Sequence, residues 1–157
     1  MLKKLCKLVD IEPKIGYYNM SVWDRVNNRE LGFGVAPLHD ETVDDMIQRL
    51  QKKWETEQKH WNTISYSPVY VNLEGNVLFW YKIQDLFVKH GIFSMTVYDD
   101  IYECSLFLNN VFLRASGKTL YKVLIDMCIE VCTKTDDKEL ENKIKNVILW
   151  CFKQIEV

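Results

Sequence analysis

The stretch from Ile92 to Cys132 constrains this chain more than any other. It reads as strand, Asp99-Asp100 turn, strand, Asn109-Asn110 turn, short strand, Gly117 loop and then a strongly apolar helix. Phe93, Met95 and Val97 alternate with Ser94, Thr96 and Tyr98, the period-two pattern of a half-buried strand. In the next strand Cys104, Leu106 and Leu108 face one way, with Glu103, Ser105 and Phe107 opposite. Asn109-Asn110 suits a tight hairpin, because Asn adopts positive φ more readily than most residues. The helix from Thr119 to Thr133 is polar at Lys122, Asp126, Glu130 and Thr133 and otherwise essentially apolar, so it must bury a wide face. A meander running into such a helix predicts an α/β protein of the α+β kind. Its small antiparallel sheet is expected to be packed by helices on both faces, as in an α–β–α sandwich.

The other elements follow from periodicity and caps. Thr42 to about His60 is a helix with Val43, Met46, Ile47, Leu50 and Trp54 in one stripe, Thr42 as N-cap and Asp44-Asp45 in the first turn. Val77 to His90 is another, with Phe79, Ile83, Leu86 and Phe87 inward and Gly91 as its stop. A last helix runs from Asp136, as N-cap, to about Ile155. Residues 21–31 read as a short helix capped by Ser21, with Asp24 in the capping-box position and Gly32-Phe33-Gly34 as terminator. Lys14 to Tyr18 reads as a loop or short extended piece. After Trp61 comes an aromatic-rich extended stretch, Tyr66-Ser67-Pro68-Val69-Tyr70-Val71, closed by Glu74-Gly75-Asn76.

At 157 residues the chain is expected to be one domain over 1–157, with 1–19 as a peripheral N-terminal segment. Leu2, Leu5, Leu8 and Val9 lie there at helical spacing before Pro13. The net charge is −2 and only four residues are Arg, which argues against a phosphate-neutralising nucleic-acid binder. No window approaches the ~18 apolar residues of a membrane span. The basic start Met1-Leu2-Lys3-Lys4 lacks the apolar run of a signal peptide, because Asp10, Glu12 and Pro13 interrupt it. Five cysteines, an odd number at irregular spacing, fit reduced thiols in a cytoplasmic setting better than a disulfide framework.

Each chemical signature tested has a plainer structural reading. Ser116-Gly117-Lys118-Thr119 resembles the end of a phosphate loop, but the required glycine five residues before Gly117 is Phe112. A turn in which Thr119 caps the next helix explains it. Cys128 and Cys132 lie one helical turn apart without the further ligands of a metal site, and read as core. His60 and His90 fall at helix ends, where they offset the negative terminus, and His39 falls in a loop. Asp99, Asp100 and Glu103 could hold Mg²⁺ for hydrolysis, but a nuclease lysine two residues after Glu103 is missing, since Ser105 stands there. They read as a solvated turn. Metal and cofactor sites are therefore not expected.

The aromatic string Trp61, Tyr66, Tyr70, Trp80 and Tyr81 belongs either to the core or to a ligand groove. Trp61, Tyr66, Tyr70 and Arg114 are the binding residues expected from sequence.

From Val77 to Cys132 the order of elements resembles the phage ABA-sandwich domain, a family of small phage and prophage proteins. The resembling pieces are Phe79-Trp80-Tyr81-Lys82-Ile83, the hairpin Glu103-Cys104-Ser105-Leu106-Phe107-Leu108 to Val111-Phe112-Leu113-Arg114-Ala115-Ser116, and the thiol-bearing helix Leu120 to Cys132. Ser67-Pro68 matches that family's Ser-Pro loop. The resemblance covers about a third of the chain and leaves the first 40 residues and the final helix unexplained. It implies an α–β–α sandwich and a phage-related origin, and no activity or site residue. The expected function is a non-enzymatic phage or mobile-element accessory protein, a binding module that occludes a host protein or holds a small ligand in the host cytoplasm. The alternatives are a metal-dependent hydrolase or nuclease at the acidic turn, and a structural protein that forms homo-oligomers.

Overall fold

A computed structural model describes residues 1–155. The chain divides into two compact units, one made of Lys14–Val71 and the other of Met1–Pro13 with the chain from Asn72 onward. Both are α+β, with a three-stranded antiparallel sheet packed by one helix in the first and by several in the second.

The Lys14–Val71 unit contains β1 (Ile15–Asp24), β2 (Arg29–Val35), α2 (Val43–Thr56) and β3 (Trp61–Tyr70), in sheet order β2-β1-β3. The helix expected over 21–31 is instead the end of β1, a turn and the start of β2. Alternation decides this. Tyr18, Met20 and Val22 are buried while Tyr17, Asn19 and Trp23 are exposed, a period of two over most of β1. The Asp24 carboxylate, placed in the sequence reading as a helix-start residue, organises the turn. It accepts from the Val26 and Asn27 backbone N–H groups at 3.1 and 3.3 Å and from Asn27 Nδ2 at 2.7 Å. Asn28 then supplies the positive φ of 51°. Gly32 and Gly34 lie inside β2 rather than ending a helix, and Tyr17 packs its ring over Gly34.

Helix α2 starts as expected, with Thr42 Oγ1 accepting from the Asp45 N–H at 3.2 Å. It ends at Thr56, earlier than the expected His60. Gln58 takes φ 57° and the Lys59 N–H reaches back to the Trp54 carbonyl at 2.7 Å, a left-handed closure that turns the chain into β3. The buried face of α2, Met46, Leu50 and Trp54, packs on Tyr18, Met20 and Val22 with Phe33 and Trp61 at the margin.

The larger unit holds α1 (Leu2–Leu8), α3 (Val77–His90), β4 (Ile92–Tyr98), β5 (Ile101–Leu108), β6 (Val111–Gly117), α4 (Leu120–Lys134) and α5 (Lys138–Ile155), with sheet order β4-β5-β6. The meander forms as its alternation predicts. Both tight turns carry two residues at positive φ, Asp99-Asp100 at 47° and 62° and Asn109-Asn110 at 49° and 64°. Helix α4 contacts β5, β6, α1, α3 and α5. Leu5 and Cys6 of α1 are buried, which ties the N-terminal helix into this core. The N-cap of α5 is one residue later than expected, since Asp137 Oδ1, not Asp136, accepts from the Leu140 N–H at 3.0 Å.

Helices cover one face of the meander. Cys104, Leu106, Leu108 and Leu113 point into the helical side and are buried. The opposite face is exposed, and the described helices of this unit pack on one side of the sheet. Gly91 closes α3 through its N–H to the Phe87 carbonyl at 3.0 Å, in extended backbone. Its lack of a side chain matters for a different reason, because a Cβ there would sit 2.6 Å from the Phe107 carbonyl oxygen. Gly91→Ala should therefore force α3 and β5 apart and lower stability by about 1–3 kcal/mol. Chemical denaturation followed by far-UV circular dichroism measures it.

Candidate functional site

The bare face of the meander is built by register. Ile92 pairs with Phe107, and Phe107 pairs with Phe112, so three apolar side chains lie in one row across β4, β5 and β6. They are 73%, 42% and 60% exposed. The next row is Ser94, Ser105 and Arg114, where the two hydroxyls bond at 2.7 Å. Beyond it stand Thr96, Glu103 and Ser116. Arg114 reaches diagonally to bond and ion-pair with Glu103, and the Tyr98 hydroxyl donates to the same carboxylate at 3.0 Å. The face thus has an apolar end and a charged, hydrogen-bonded end.

The electrostatics of that end are self-contained. The Arg114 guanidinium, and after it the Tyr98 hydroxyl, hold the Glu103 carboxyl below its ordinary range. Glu103 in turn pushes the Tyr98 phenol upward. Glu103 therefore spends its lone pairs on Arg114 and Tyr98, while Asp99 and Asp100 occupy the adjoining turn. No group of three His, Cys, Asp or Glu among the described residues is arranged to hold a metal ion.

Of the binding residues expected from sequence, Arg114 lies on this face. Trp61, Tyr66 and Tyr70 lie in the other unit, strung along β3. Trp61 and Tyr70 stand at opposite ends of the ten-residue strand, roughly 30 Å apart, so they do not make one groove. Tyr66 packs edge-on against Tyr18 at 6.0 Å and Tyr70 pairs with Ile15 at the far end of β1, both half exposed. Trp61 is different, because it lines a recess of about 360 Å³ with Trp54, Arg25, Lys59, His60 and Gln51. The Trp54 and Trp61 rings meet at 5.6 Å, and Lys59 Nζ lies 4.3 Å from the centre of the Trp61 ring. The Arg25 N–H donates to the His60 carbonyl at 3.0 Å, which fixes the recess wall. His60, expected in a last helical turn, lies beyond the end of α2 and belongs to this wall. A second, wider trough on the same unit has Asn19, Ser21, Ser65 and Ser67 over Gly32 and Gly34.

The apolar row was hidden from sequence reasoning by its composition. Phe107 was legible as an apolar residue on the polar side of its strand, but Ile92 and Phe112 become its neighbours only through the pairing. No helix among the described residues is long and apolar enough to cross a membrane. No family model matches the chain, and neither the curated proteins nor the solved structures contain a match to it.

The thiols are set against nucleophilic chemistry by burial. Desolvation pushes Cys104 and Cys132 up to about 11 and Cys128 well above its ordinary value, and it raises Cys6 and Cys151 as well. A nucleophilic cysteine needs the opposite shift. Native protein should therefore react slowly with a thiol-selective disulfide reagent near neutral pH, and all five cysteines should react at once after denaturation. A fast native thiol in stopped-flow absorbance would contradict this assignment.

Proposed function

We propose that the protein is a non-enzymatic binding module, an accessory protein of the phage or mobile-element kind, which acts by covering part of a host protein. The Ile92–Phe107–Phe112 row on the bare face of the meander carries this reading. Large apolar side chains clustered on a surface gain from being removed from water by a partner. Tyr98, Glu103 and Arg114 supply a polar margin beside it, the arrangement of an apolar interface centre with a hydrogen-bonding rim. Phe, Tyr and Arg are also residue types enriched where proteins meet. The phage-type origin rests on the resemblance of the helix, meander and helix order, and the host cytoplasm on the five free thiols.

The test compares wild-type protein with the Phe107→Ser, Phe112→Ser double variant as bait in host lysate. Both side chains are exposed, so the variant should fold with an unchanged thermal midpoint. It should lose at least about tenfold of the captured partner, the scale expected for anchor residues. Equal capture by both baits would sink the reading.

The recess at Trp61 favours a second reading, a small-ligand site. Arg25, Lys59 and His60 surround an indole, with Glu55 in the same wall and Glu57 3.4 Å from Lys59 Nζ, so the recess suits a flat molecule whose anionic group reaches Arg25. Titration with nucleoside monophosphates and aromatic carboxylates should quench tryptophan fluorescence saturably. Arg25→Ala with Lys59→Ala should abolish the quenching, and quenching that persists would count against this site.

A further inference from the structure

Four strands lie at sheet edges among the described residues: β2 and β3 in one unit, β4 and β6 in the other. An edge strand offers unpaired N–H and C=O groups, and natural proteins blunt it with charges, proline or bulges. Three of these edges are blunted. Strand β2 carries Arg29 and Glu30, β3 carries Pro68 and a register shift near Ser21 of its partner, and β6 carries Arg114. Strand β4 has none of these devices. Its seven residues, Ile92-Phe93-Ser94-Met95-Thr96-Val97-Tyr98, include no charge and no proline, and its register with β5 is unbroken. Ile92, Val97 and Tyr98 are all exposed.

The ends of β4 differ in charge. Lys89 and His90 precede it, with Lys143 Nζ 3.3 Å from the His90 ring, and Asp99-Asp100 follow it. Asp85 pairs with Lys89 at 2.8 Å and Glu139 with Lys143 at 2.9 Å, so each lysine is partly offset within its own unit. Antiparallel pairing sets the start of one strand against the end of its neighbour. Directly opposed residues share a sheet face, so a two-fold pairing of identical strands must centre on a residue. Centred on Met95, it sets Ile92 against Tyr98, Phe93 against Val97 and Ser94 against Thr96. The same register brings the Lys89-His90 end of each copy beside Asp99-Asp100 of the other. Parallel pairing would instead join like ends.

We propose that β4 is a self-association edge, and that a second copy of this chain pairs with it antiparallel to give one six-stranded sheet, β6-β5-β4-β4-β5-β6. The occupant follows from self-complementarity: every exposed apolar residue of β4 finds an apolar partner, and the flanking charges are opposite. The edge is separate from the bare-face reading, although Ile92 contributes to both.

Sedimentation velocity over a concentration series tests it, using wild type, Ser94→Lys with Thr96→Lys, Ser94→Glu with Thr96→Glu, and an equimolar mixture of the two variants. Wild type should run as a dimer with twice the monomer mass. Each variant sets like charges opposite one another and should be monomeric, and the mixture should recover a heterodimer. Hydrogen exchange of wild type supplies a readout that needs no variant, since amides of residues 92–98 should gain protection as concentration rises. A monomeric wild type at its highest soluble concentration, variants that still dimerise, or concentration-independent exchange at 92–98 would overturn the proposal. Phe107→Ser with Phe112→Ser should keep the dimer, so failure of the partner reading and failure of this one give different results.

Discussion

Helix α4 is the constraint on which the larger unit depends. Seven of its fifteen residues are buried, from Tyr121 to Val131, and they point to more than one side of the helix. A single neighbouring surface cannot cover such a helix. The meander takes one side, and α1, α3 and α5 take the others. Each large aliphatic side chain so buried is worth about 1.5–3 kcal/mol relative to exposure. The helices gathered around α4 are therefore on the same side of the sheet, which leaves the other side of the meander uncovered by the described helices of this unit.

That asymmetry links the fold to the functional reading. A sheet with helices on one face normally turns a polar face outward. Here the outward face is divided, with Ser94, Ser105, Glu103 and Arg114 at one end and Ile92, Phe107 and Phe112 at the other. The polar half satisfies itself through Arg114, Glu103 and Tyr98. The apolar half has no such internal solution. The smaller unit shows the same economy, with its aromatic residues shared between the α2–sheet core and the recess at Trp61.

The elements with strong local signals were legible. Helices α2, α3 and α4 announced themselves through apolar stripes and caps, and Thr42 and Thr119 both accept the hydrogen bonds their positions called for. The two positive-φ turns of the meander followed from Asp-Asp and Asn-Asn. Residues 21–31 were misread because Ser21 and Asp24 have helix-capping chemistry, while the period-two burial of Tyr18, Met20 and Val22 spans a segment split between two readings. Asp24 serves a hairpin with the same carboxylate chemistry it would have used at a helix start. Of the expected site residues, Arg114 lies at the polar end of the bare face and Trp61 in a recess, while Tyr66 and Tyr70 lie farther along β3.

Sequence by itself determined the α+β class, the meander, its turns and the apolar character of α4, because each depends on residues within one or two turns or strands of each other. Only the tertiary structure decided that Ile92, Phe107 and Phe112 form one row, that Trp61 closes a recess with Arg25, and that β4 is an edge. Those relations arise from strand pairing and helix packing between distant segments, and a period of two or of 3.6 carries no information about which strand lies next to which.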